Sequence, residues 1–259
     1  MIGLVLTCEH ASWTLPPGVD LGVSDEVLRS QASWDHGAYE IAQRLGDGVG
    51  LPVHTGLFSR MFVDLNRPAE HPDVVPTMSY GAEVPGNARL TPGDRAARLA
   101  EFHAPYWAAV RHDVAARLRD RGAVLHLSSH SFDPSLDPVN RRFDLGVLYD
   151  PSRAFESALA ERLLFQLRRA GFDVRANQPY PGLGAGVCST LRIELTGARY
   201  AGILLEASHA LTHTPDGCAR VAAAVAPFLE ALDELAADAT EAVGAAGAAG
   251  IAGATVQGT

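Results

Sequence analysis

Apolar and polar positions along the chain switch between two rhythms. Short unbroken apolar runs, IGLVLTC at 2–8, AVLHLS at 123–128, DLGVLY at 144–149 and AGILLEA at 201–207, have the length and composition of strands buried on both faces. FDVRA at 172–176 predicts another strand, and PVHTGL at 52–57 and MFVDL at 61–65 predict extended pieces. Helical periods fall between them at 25–31, 36–46, 153–170 and 215–237. A long amphipathic helix over 92–121 opens on a Thr-Pro start signal and ends at Gly122. Residues 68–90 carry many prolines and glycines without a period, which predicts a long loop, and NQPYPGLGAG at 177–186 predicts a turn-rich one. Strands alternating with helices predict an α/β fold with a mostly parallel central sheet and helices on both faces. In such sheets, sites form at the carboxyl ends of the strands.

Past residue 237 the chain becomes Ala/Gly-rich and lacks the large side chains that offset ordering entropy. We therefore expect one domain over 1–237 and a disordered tail over 238–259. A hydrophobic fraction of 47% supplies a sizeable core, and a formal net charge of −9 argues against a generic binder of nucleic-acid phosphates. No apolar stretch is long enough to span a membrane. The opening MIGLVLTCEH has neither a basic leader nor a small-residue cleavage site, and the three cysteines are scattered, so a reducing cytoplasm is the expected location. All 21 basic residues are arginine. That excludes Schiff-base lysine chemistry and a P-loop, fits a genome rich in G and C, and leaves charge recognition to a side chain that grips carboxylates bidentately.

Proton-active residues recur where the apolar runs end. His10 follows LVLTCE, His130 follows AVLHLSS, and Glu206 closes AGILLE. Arg60, Asp64, Asn66 and Arg67 lie together in SRMFVDLNRP. If the strands are parallel neighbours, their ends bring two imidazoles, a carboxylate and two arginines into one cleft. Two histidines plus a carboxylate are a common ligand set for catalytic zinc. Asn66 beside Arg67 can hold a carboxylate from two directions. His126, inside its strand, reads as a buried hydrogen-bonded residue, His103 as a packing residue near Tyr106 and Trp107, and Asp35 as a candidate helix N-cap.

The segments CEHAS, DHGAYEIAQRL, SRMFVDLNRP, FHAPYW, HSFDP, NQPYPG and GILLEASHAL, in that order, resemble the N-formylglutamate amidohydrolase family. That family is related in fold to zinc carboxypeptidases and aspartoacylase-like deacylases. The resemblance implies a zinc-dependent amidohydrolase that removes a formyl or other acyl group from a small carboxylate-bearing amide such as N-formyl-L-glutamate. One Zn²⁺ would be held by His10 and His130. The carboxypeptidase relatives take a further ligand from a His-x-x-Glu pair, but here His10 is followed by Ala-Ser-Trp. The missing carboxylate would come from Asp35 first and Glu9 second. Arg60 would polarise the scissile carbonyl, Asn66 and Arg67 would hold the substrate carboxylate, Arg192 a second carboxylate, and Glu206 would act as general base and acid. The broken pair keeps a metal-free carboxylate-binding protein of the same fold as an alternative, and an amide of a specialised pathway as another substrate.

Overall fold

The computed structural model describes residues 2–234, so the Ala/Gly tail at 238–259 and the end of the last predicted helix lie outside the described residues. Its strands are β1 (Gly3–Cys8), β2 (Val53–Thr55), β3 (Met78–Ser79), β4 (Ala82–Glu83), β5 (Ala123–Phe132), β6 (Leu145–Leu148), β7 (Val174–Ala176) and β8 (Arg199–Ser208). Six of them form one sheet in the order β2-β1-β5-β8-β6-β7, and β3 pairs with β4 in a separate hairpin. Neighbours in the large sheet run parallel except β6, which is antiparallel to β8. The helices are α1 (Asp25–Leu28), α2 (Ala38–Val49), α3 (Pro85–Ala88), α4 (Pro92–Arg98), α5 (Ala104–Arg121), α6 (Ala154–Arg169), α7 (Val187–Glu194), α8 (His209–Thr212) and α9 (Pro215–Glu230).

Alternation along the strands divides the core. Leu4, Leu6, Leu125, Leu127, Ile203 and Leu205 pack with Ile41 of α2, Leu163 of α6 and Val221 of α9. Val5 and Val124 pack instead with Trp107 and Val110 of α5 and Leu191 of α7. Both faces of the central strands are covered, which is why apolar residues occupy successive positions along them instead of every second one. Among the described residues no helix is long and apolar enough to cross a membrane.

The structure departs from the sequence expectations in four places. MFVDL at 61–65 is not a strand: Ser59 Oγ accepts the Met61 N–H at 3.0 Å, Ser59 O accepts from Phe62 and Val63, and Asp64 Oδ1 takes the Asn66 N–H at 2.9 Å. These local bonds divert the backbone from a sheet ladder. The helix expected over 92–121 is α4 and α5 joined by a π turn at Leu99–His103, where the Ala104 N–H reaches back to Leu99 O. Pro105 cannot donate to the Glu101 carbonyl, and the wider turn absorbs the lost bond. The loop at 68–90 contains the β3–β4 hairpin and α3. β5 runs on through His130 to Phe132, so His130 lies inside a strand rather than after it.

His126 is fully buried in β5, with Nε2 bonded to Thr7 Oγ1 at 2.9 Å and Nδ1 to Tyr200 OH at 2.8 Å. Burial pulls its pKa down to about 4, against a partial upward pull from Glu9. A depressed folded-state value means its stabilising contribution is complete above the unfolded value near 6.5 and lost as pH falls through about 4. We expect a difference on the order of 3 kcal/mol between those limits. Urea denaturation at pH 7.5 and 4.5 should show a smaller drop for His126→Gln than for the wild type; equal drops would assign the acid sensitivity elsewhere.

Candidate active site

β1, β5 and β8 are neighbours at the centre of the sheet, and His130 of β5 stands directly beside Glu206 of β8. Along β5, His126, Ser128 and His130 share the face that also carries Gly202, Leu204 and Glu206 of β8. Glu9 and His10 sit in the turn just past β1. Two loops close over these strand ends. The Asp35 N–H donates to His10 O at 3.0 Å, and the Arg60 N–H donates to Ser33 O at 3.0 Å. The result is a cavity of about 400 Å³ whose wall includes His10, Asp35, Arg60, Asn66, His130 and Glu206. That size suits a small molecule.

Asp35 is the hub. Its Oδ2 faces His130 Nδ1 at 2.8 Å and His10 Nδ1 at 3.3 Å, while Oδ1 is held by Arg60 Nη2 and by Gln31 Nε2 at 3.1 Å. One donor atom each from His10, Asp35 and His130 lies within 4.8 Å of the others, so these three can hold a metal ion. The outer nitrogens of both rings are occupied. His10 Nε2 bonds to Asp64 Oδ1 at 2.7 Å, and His130 Nε2 lies 3.1 Å from Glu9 Oε2. Glu9 also accepts from Ser128 Oγ at 2.6 Å and from Tyr106 OH at 2.8 Å. Carboxylates on the outer nitrogens fix each ring so that the inner nitrogens converge, and two imidazoles with one carboxylate oxygen fit zinc.

The charges around this hub reinforce one another. Burial alone would raise the Asp35 carboxyl, yet Arg60 and His10 hold it well below the usual range. Glu9 is likewise kept low against burial by His130 and Ser128. Asp64 falls to about 2, since His10 and the nearby arginines outweigh its burial. His130 rises against burial because Asp35 and Glu9 both favour its charged form.

Glu206 stands apart from that network. Its side chain is buried, and Oε2 has no hydrogen-bond partner among the described residues. Burial, with Asp35 nearby, pushes its pKa up to about 7 against the pull of His130 and Arg60. Its neighbour on β6 is Gly146, where a Cβ would run into the Gln178 carbonyl. A carboxyl titrating near neutrality in a cavity is suited to proton transfer.

Of the sequence candidates, His10, Asp35, Arg60, Asn66, Arg67, His130 and Glu206 all line the cavity. Asn66 Oδ1 accepts the Val187 N–H at 3.0 Å at the start of α7, and Arg67 Nη1 donates to Ala185 O at 2.6 Å. Arg192 is corrected. Its guanidinium is buried and paired with Glu156 of α6, with Nη1 on Gly182 O and Nη2 on Gly202 O. Burying an arginine requires that pairing, and it leaves no donor turned to the cavity for a second substrate carboxylate. Glu9 belongs to the outer layer of the site. Sequence reading missed the contacts of Asp64, Gln31 and Tyr106. Asp64 carried a signal, standing in the SRMFVDLNRP segment between the arginines, but its partner His10 is 54 residues away.

The model of the N-formylglutamate amidohydrolase family matches residues 2–213. A solved structure of gene product Atu2144 from Agrobacterium tumefaciens is similar over 93% of this chain and 91% of its own, with 31% identity and a TM-score of 0.76. The N-formylglutamate amidohydrolase of Ralstonia eutropha JMP134 shares the fold over 93% of both chains, with 19% identity and a TM-score of 0.66. No curated protein sequence matches the chain. A family match over most of the length, on a mostly parallel α/β sheet whose strand ends carry this site, shows that the chain belongs to the N-formylglutamate amidohydrolase family.

Proposed function

We propose that the protein is a metal-dependent amide hydrolase that removes a formyl or other acyl group from an N-acyl amino acid. The family match supports an amidohydrolase. The observation that carries the metal dependence is the convergence of one nitrogen each from His10 and His130 on Asp35 Oδ2, with both outer nitrogens already held by carboxylates. These three residues would hold one Zn²⁺, which when bound supplies Lewis-acid activation of water and of the carbonyl.

The chain's own groups supply the rest. Arg67, partly exposed at the cavity, and the Asn66 amide hold the substrate carboxylate. Arg60 is anchored by Asp35 through Nη2 and lines the cavity, where its guanidinium stabilises the acyl oxygen as negative charge develops there. Glu206 takes a proton from the attacking water. The C–N bond then breaks, and the same carboxyl returns the proton to the departing amine nitrogen, giving formate or another carboxylate and the free amino acid.

Purified protein should contain one zinc per chain. Removing it with 1,10-phenanthroline should abolish release of formate from N-formyl amino acids, and stoichiometric Zn²⁺ should restore it. Undiminished hydrolysis by protein shown to be metal-free would overturn the metal dependence.

A further inference from the structure

The FHAPYW segment at 102–107 closes the π turn and opens α5, and its polar side chains reach the loops that carry the site. His103 Nε2 donates to Arg67 O at 2.7 Å, Trp107 Nε1 donates to Leu65 O at 3.0 Å, and Tyr106 OH donates to Glu9 Oε1 at 2.8 Å. Tyr106 thus serves the metal side of the cavity, through Glu9 and His130, while His103 and Trp107 serve the substrate side. His103 and Trp107 share a helix face, both are buried, and their rings stack with centroids 5.3 Å apart and planes at 22°.

The backbone at 64–67 belongs to neither sheet nor helix, so its carbonyls have no ladder partner and their positions are set by whatever donates to them. The two carbonyls held by α5 lie on either side of Asn66, and one of them is that of Arg67 itself. The Arg67 side chain is partly exposed, with Nη1 on Ala185 O at 2.6 Å and Nε 3.9 Å from Asp64 Oδ2. α5 is in turn fixed to the sheet, because Trp107, Val110 and Val114 pack with Val5 of β1 and Val124 of β5. The substrate arm is therefore tied, through buried rings, to the same strands that lead to His10 and His130. Arg67 O can only accept, so His103 Nε2 carries the proton. Burial draws the pKa of this ring below its ordinary value, against the pull of that carbonyl, so the donor is a neutral imidazole at pH 7.

We propose that His103 is a positioning residue for substrate binding: through its bond to the Arg67 carbonyl it sets Asn66 and Arg67 where they meet the substrate carboxylate. The proposal rests on the hydrolase reading above and names what fixes its binding arm. The stack on Trp107 alone would make His103 a packing residue. What exceeds packing is a buried N–H aimed at the backbone of a binding residue. A displaced arm weakens ground state and transition state alike, so its signature is a higher KM at unchanged kcat.

The test is steady-state formate release from N-formyl-L-glutamate by zinc-loaded wild type, His103→Phe and His103→Gln. Phenylalanine keeps the ring stack and loses the donor, whereas glutamine loses the ring and keeps a neutral donor at the reach of Nε2. We expect KM for His103→Phe to rise about 10- to 100-fold with kcat within about twofold of the wild type, and His103→Gln to recover most of that rise. Equal KM in the two variants overturns the proposal. So does the opposite order, which makes the ring a packing element, or a fall in kcat at unchanged KM. If His103→Phe loses the native near-UV circular dichroism, Trp107→Phe takes its place. It removes the donor to Leu65 O but keeps a ring, and the same rise in KM is expected; an unchanged KM overturns the proposal. If the wild type hydrolyses nothing, it is the hydrolase reading that fails. Calorimetric titration of N-formyl-L-glutamate then still decides the role of His103, with weaker binding to His103→Phe than to His103→Gln upholding it and equal binding, or none to any of the proteins, overturning it.

Discussion

Replacing His130 by alanine is expected to remove metal and activity together, lowering kcat/KM by at least about a thousandfold, more than the tenfold to hundredfold cost of losing an outer partner. His130 Nδ1 is the closer of the two imidazole nitrogens to Asp35 Oδ2, at 2.8 Å, and its Nε2 faces Glu9 and Ser128. Alanine deletes both sets of bonds. Asp35 keeps Arg60, Gln31 and His10, so its charge stays compensated and the loops over the strand ends stay anchored. Near-UV circular dichroism should therefore remain native while zinc content falls. Asp64→Asn and Glu9→Gln retain all three inner donors and weaken only their orientation, so each should lower zinc affinity by roughly 10–100-fold. His130→Ala protein that keeps both full zinc and full activity would remove His130 from the site.

How far this site could be read from the chain depends on how local each signal is. His10, His130 and Glu206 are legible because each interrupts or ends an apolar run, and parallel strands in neighbouring positions carry such residues to one edge. Asp35 was legible as a carboxylate at a loop-to-helix boundary, but not as a hub, since its bonds reach residues 25 and 95 positions away. Glu9 illustrates a limit of alternation. Strand periodicity sets it opposite His10, but β1 ends at Cys8 and both side chains leave from a turn that brings them to the same site. The turn at 61–65 was hidden by an apolar run that includes Phe62 and Val63, because the bonds of Ser59 and Asp64 that bend it are not visible in hydrophobicity. Arg192 was misread for want of its partner. Glu156 lies on α6, 36 residues earlier, and nothing near Arg192 announces that its charge is spent inside the fold.

Glu206→Gln should separate chemistry from binding: kcat should fall about 100- to 10,000-fold, the range of general acid–base catalysis, with zinc content unchanged. Glutamine keeps the size and the hydrogen-bonding capacity of the protonated acid but cannot take a proton from water. Because burial raises the Glu206 pKa to about 7, the wild type should show kcat/KM rising with pH to a limb at or below that value. A bound dication favours the carboxylate, which is why the limb can lie lower. The residual activity of the variant should lack that limb. The same shift makes an opposite prediction for stability. A folded-state value raised above the unfolded one, near 4.5, stabilises the fold below that lower value, and the contribution is lost as pH rises through about 7. Glutamine mimics the protonated form at every pH. In metal-free protein at pH 8, Glu206→Gln should therefore be more stable than the wild type, by an amount on the order of 3 kcal/mol, and the two should converge below pH 5. Urea denaturation at both pH values checks the sign. A variant less stable at pH 8 would mean that Glu206 is paired as a structural carboxylate, and the proton-transfer role would go with it.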